Sequence, residues 1–85
     1  MDLWLVTYEG DLTQFLIEET EKDKVIPQAI TSNLAYGEID DEIRDDIKNP
    51  DNYTIELVDY YLLDGLFKRN DYCGIYENAM VFNDW

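Results

Sequence analysis

Asp40, Asp41, Glu42, Asp45 and Asp46 set five carboxylates within seven consecutive positions, and no other stretch of the chain offers as much potential chemistry. Carboxylates so placed can share acid and base work, hold a cation, or present a row of fixed negative charge. The first use needs a cleft that pulls two pKa values apart, and nothing singles out such a pair among the 20 acidic residues. The second, as an EF-hand loop, needs alternating oxygen ligands, a central glycine and a glutamate at the twelfth place; loops starting at Asp40 or Asn49 lack them. Histidine is absent and cysteine occurs once, at Cys73. That removes histidine acid–base chemistry, the Ser-His-Asp arrangement, Cys/His zinc sites and any internal disulfide. Cys73 has no histidine to activate it and no basic cluster nearer than Lys68-Arg69, so it reads as a packing residue. The expectation is a protein without catalytic residues, metal or cofactor, whose function rests on the third use, charge.

The charge is large for the size. Six basic residues face 20 acidic ones, a formal net charge of −14 on 85 residues. A chain this short closes one core, so residues 1–85 are expected to form a single domain. With 46% hydrophobic and 14% aromatic residues, it has the apolar material to fold that an acidic disordered tail lacks. The excess also recurs outside residues 40–46, at Glu18, Glu19, Glu21 and Asp23, at Glu56, Asp59 and Asp64, and at Glu77 and Asp84. An ordinary solvated surface mixes both signs, because like charges repel and destabilise the compact state. Such a body repels DNA, RNA and anionic membranes, so the expected partner is a basic protein. The first residues have no basic n-region, and no apolar run approaches the ~20 residues of a membrane-spanning helix. With the lone thiol of Cys73, this points to the cytoplasm.

The elements that must position these groups read as α+β. Residues 3–8 alternate Leu3, Leu5 and Thr7 with Trp4, Val6 and Tyr8, a strand with apolar groups on both faces; the turn at Glu9-Gly10-Asp11 and the run 12–18 complete an N-terminal hairpin. Pro27 suits a helix first turn, Ile26, Ala29, Ile30 and Leu34 form its stripe, and Gly37 stands at its C-terminal cap. Ile39, Ile43 and Ile47 predict a second helix, N-capped by Asp40 or Asp41 and ended before Pro50. On it the isoleucines span about 80° of arc, and Asp41 and Asp45 point directly away from them. For 54–69 two readings stand: a helix with Ile55, Val58, Leu62 and Leu66 as its seam, or a strand over 53–58. Residues 72–76 and 79–82 read as one short strand or a second hairpin around Glu77-Asn78.

Carboxylates one helical turn apart are about 5–6 Å from each other, comparable to the phosphate spacing of a nucleic acid strand, so the helix at 39–47 can imitate a backbone. The plainer reading is that charge on an outer helix face serves solvation and, near the N-terminus, the helix dipole. In size, charge and lack of catalytic groups the chain resembles the small acidic DNA-mimic inhibitors of phages and mobile elements, which include anti-CRISPR, anti-restriction and uracil-DNA glycosylase inhibitor proteins. The resemblance rests on composition over the whole chain and on no motif. It implies an inhibitor that blocks the nucleic acid site of a basic nuclease or other nucleic-acid-binding protein. The expected contact residues are Asp40, Asp41, Glu42, Asp45 and Asp46, with Glu18, Glu19, Glu21 and Asp59. Tyr60 and Tyr61 join them, because two adjacent tyrosines cannot both face inward on a helix, and tyrosine beside acid grips Arg and Lys. The competing reading is an acidic adaptor or assembly module that uses a tyrosine-rich face, with Trp85 as a lid or contact. A phage or plasmid accessory protein with a regulatory target other than a nucleic acid enzyme is a third.

Overall fold

A strand that is apolar on both faces must lie inside a sheet covered on both sides, and β1 (Asp2–Tyr8) does. The computed structural model describes residues 1–37, 40–69 and 71–83. In it β1 pairs with β2 (Gln14–Glu19) as the expected hairpin, and five antiparallel strands form one sheet in the order β3-β1-β2-β5-β4. β3 is Tyr53–Leu57, β4 Asp71–Tyr76 and β5 Ala79–Asn83. β4 and β5 make a C-terminal hairpin, so the second of the two readings for the tail holds.

Helices cover both faces. On one side α1 (Val25–Tyr36) and α2 (Asp41–Lys48) close over Val6, Tyr8, Phe15, Ile17, Tyr53, Ala79 and Val81. On the other, α3 (Tyr60–Arg69) sets Leu66 onto Leu5, Leu16 and Phe82. Short 3-10 turns at Lys22–Lys24 and Pro50–Asn52 lead into α1 and β3.

Residues 54–69 divide rather than choose. Residues 53–57 alternate and pair with β1 from Tyr8↔Tyr53 to Trp4↔Leu57, and the helix begins only after Asp59, whose carboxylate accepts the Leu62 N–H at 2.8 Å. The apolar seam therefore splits across the sheet. Val58, with Leu62 and Leu66 of α3, packs on one face of the sheet, whereas Ile55 packs on the opposite face with α1. α1 itself is turned relative to the predicted stripe: Ala29 is fully buried, but Ile26, Ile30 and Leu34 are only partly so, while Val25, Ser32 and Asn33, outside the stripe, are buried. Gly37 does cap α1, but at φ −111° it leaves in an extended rather than a left-handed conformation.

Burying Asn33 is satisfied by a relay. Its amide Nδ2 donates to the Tyr53 hydroxyl at 3.0 Å, and that hydroxyl donates to the Ile47 carbonyl at 2.6 Å. One phenol thus ties α1, β3 and α2 together. Tyr53→Phe keeps the ring and strands an amide and a carbonyl in the core, so it is expected to lower the unfolding free energy by about 1–3 kcal/mol in urea titration.

Candidate functional site

α2 starts where a capping residue is available. Asp40 is extended, and its carboxylate accepts the Ile43 N–H at 2.9 Å; Asp41 and Glu42 occupy the first turn and Lys48 the last, each complementing the helix dipole. Of the predicted isoleucine stripe, Ile47 is buried but Ile43 is 46% exposed, and Ile39 lies outside the described residues. Ile43 is not core: it lines an open groove of about 460 Å³ with Tyr8, Gly10, Asp11, Glu42 and Asp46, between α2 and the β1–β2 turn.

Asp46 anchors this arrangement. Its carboxylate accepts the Tyr8 hydroxyl and, at 3.0 Å, the Asn52 amide, while the Asn52 Nδ2 also reaches the Asp46 carbonyl at 2.9 Å. Opposite, Asp11 turns its carboxylate inward to the Thr13 N–H at 3.0 Å and hydroxyl at 2.6 Å. Thr13 is buried and also accepts the Asn83 amide at 2.7 Å, which fixes the turn to β5. Gly10 passes so close to the Tyr8 ring that a Cβ would meet it at 2.5 Å, and the ring cannot yield without leaving Asp46.

The five α2-region carboxylates do not stand alike. Asp40 and Asp46 hold the fold. Asp41 pairs with Arg44 at 3.7 Å, but its side chain is 99% exposed, and such pairs contribute little. Glu42 and Asp45 are exposed and carry no hydrogen bond or ion pair among the described residues. Together with Asp11, which sequence reasoning did not pick out, these acids run from the hairpin turn along α2. Only the fold joins positions 11 and 42–46; no spacing in the chain announces it.

The other expected contacts lie elsewhere. Asp2 pairs with Glu19 and Trp4 with Leu57, so Glu18 and Glu19, like Asp59, sit at the end of the sheet opposite the β1–β2 turn, a strand length or ~20 Å away. Glu18 is exposed, the Glu19 carbonyl accepts the Trp4 indole N–H at 2.9 Å, and Glu21 pairs with Lys24 at 2.7 Å. Asp59 is the α3 cap described above. Tyr60 and Tyr61 are 80% and 84% exposed, their rings edge to face at 6.0 Å. Cys73 is half-buried and accepts the Tyr36 hydroxyl at 3.5 Å. Asp84 and Trp85 lie outside the described residues. Among the described residues, no three acidic or cysteine side chains are grouped to hold a metal ion, and no helix is long and apolar enough to cross a membrane.

Burial, then the hydrogen bond to Asp46 and its charge, push the Tyr8 phenol well above the usual tyrosine value. Burial also raises Tyr53, against the opposing pull of its bond from Asn33. Both rings hold their protons longer folded than unfolded, so the stability they give is complete below the unfolded value of about 10 and is lost as pH climbs toward the folded values. The unfolding free energy is expected to fall above pH ~10 by up to about 1.4 kcal/mol per pH unit for each ring. Tyr8→Phe, measured by denaturant titration between pH 8 and 11, is expected to show a shallower fall.

Comparison with protein-family models, with curated proteins and with solved structures finds no match to this chain.

Proposed function

We propose that this protein is a non-enzymatic inhibitor that binds a basic nucleic-acid-processing protein, such as a CRISPR or restriction nuclease, and occupies its nucleic acid site. The observation that carries this reading is the acidic edge formed by Asp41, Glu42 and Asp45 on α2 beside Asp11 and Asp46. Its charge is concentrated on a folded, hydrogen-bonded support, not on a tail. A rigid row of carboxylates meets a Lys/Arg groove without the ordering cost of a flexible polyanion, and the net charge of −14 speeds encounter with a cationic partner. The acidic surface disfavours direct nucleic acid or membrane binding, and the site of action in this reading is the cytoplasm.

A second reading draws on Tyr60 and Tyr61. Two adjacent exposed rings, packed edge to face, suit an adaptor that joins a larger assembly through apolar contact.

The two differ in salt dependence. Capture from cell lysate on the immobilised protein is expected to retain basic nucleic-acid-binding proteins at low salt and release them as salt rises, because the contact is electrostatic. The double substitution Asp41→Lys with Asp45→Lys is expected to lower their affinity by about ten- to a hundredfold, mainly through slower association, with an unchanged melting curve. Neutral proteins retained at high salt, and lost on Tyr60→Ala or Tyr61→Ala, would instead support the adaptor.

A further inference from the structure

We propose that the free edge of β3 is a docking site for an extended basic segment of the partner, which adds to the sheet as a sixth strand.

The β3–β1 ladder decides which backbone groups are used. The Glu9 N–H donates to the Asn52 carbonyl at 2.8 Å and the Val58 N–H to the Leu3 carbonyl at 2.9 Å. In an antiparallel register that alternates, the backbone groups of Thr54 and Glu56 face β1 and those of Ile55 and Leu57 face away. The Tyr53 N–H turns back to the Pro50 carbonyl, leaving its carbonyl on the same outer side. β3 ends the sheet, so two N–H groups and three carbonyls stand in a row along an edge, with no hydrogen-bond partner among the described residues.

Edges are commonly blunted by proline, lysine or a bulge. β4, the opposite edge, has a register shift between Tyr72 and Gly74, with Gly74 at φ +128°. β3 has no bulge, proline or lysine: its pairing with β1 is unbroken, and its one charge is acidic, Glu56, which repels acidic strands and admits basic ones.

Charge selects the occupant. From Lys48 to Lys68 the chain carries Asp51, Glu56, Asp59 and Asp64 and no intervening cation, so the edge strand is flanked by acid at both ends and carries one in its middle. A second copy of this chain would bring its own −14 and be repelled; a basic segment is attracted. The pleat also sets the pattern. Thr54 and Glu56 point to the α3 side and Ile55 and Leu57 to the α1 side, so the added strand alternates Lys or Arg beside Glu56 with apolar residues beside Leu57. This strand addition rests on the reading of a basic partner and specifies how that partner is held.

The test uses an eight-residue peptide of alternating lysine and valine with the ¹⁵N-labelled protein. Binding is expected to slow exchange of the Ile55 and Leu57 amide protons at least about tenfold, while Thr54 and Glu56, already bonded to β1, change little. N-methylating the peptide at its edge-facing residues is expected to weaken binding about tenfold, the loss of one or two hydrogen bonds. Leu57→Pro, which removes an outward N–H and no ladder bond, is expected to do the same. Should that variant not fold, the methylated peptide carries the test with the protein unaltered. Equal binding of the methylated peptide, or no protection at Ile55 and Leu57, overturns the strand addition and leaves the basic-partner reading standing. Equal binding of a peptide with glutamate in place of lysine overturns the basic occupant of this edge, whereas the basic-partner reading falls only if the Asp41→Lys, Asp45→Lys variant still retains the basic proteins unchanged.

Discussion

Both faces of the sheet are apolar, and this constraint shapes everything else in the molecule. Leu5, Leu16 and Phe82 on one side and Val6, Phe15, Ile17 and Val81 on the other require a helical layer each. With the interior so filled, the acidic residues among those described are left to helix exteriors, turns, strand ends and the edge strand β3. Charge is therefore displaced outward by the core, and its concentration around α2 follows from where α2 must sit to bury Ile47.

Several acids work for the fold, and that distinguishes them from the rest. Asp40 and Asp59 cap helices, Asp11 closes the hairpin turn, and Asp46 locks Tyr8. Each exchanges hydration for hydrogen bonds that fix a neighbouring element. Asp41 and Glu42 do no more than complement the α2 dipole from its first turn, Asp45 carries no hydrogen bond or ion pair among the described residues, and the crowding of the three opposes the compact state. A partner that neutralises them removes that repulsion, so binding and stability point the same way.

The sequence makes the local elements legible, because their signals are periodic and short-range. The alternation of residues 3–8, the turn at Gly10, Pro27 in a first turn and Asp40 before a helix each act within a few residues. Residues 54–69 resist such reading, since Ile55, Val58, Leu62 and Leu66 satisfy a helical period while 53–57 also alternate; the open edge of β1 settles it, and that edge exists only in the folded sheet. The same applies to the site. The α2 carboxylates are visible as a run, but the contact of Tyr8 with Asp46 spans 38 residues, and Asp11 joins the surface only through it. Ile43 shows the limit of periodicity: it has the spacing of a core residue and faces a groove.

A decoy and its nucleic acid cannot share one groove. The most direct measurement is a titration of this protein into a preformed complex of labelled nucleic acid with a basic nucleic-acid-binding protein captured from lysate, followed by sedimentation of the mixture. The account predicts release of the nucleic acid as the protein binds, with no species containing all three. A stable ternary complex, with the nucleic acid still bound at saturating protein, would contradict it.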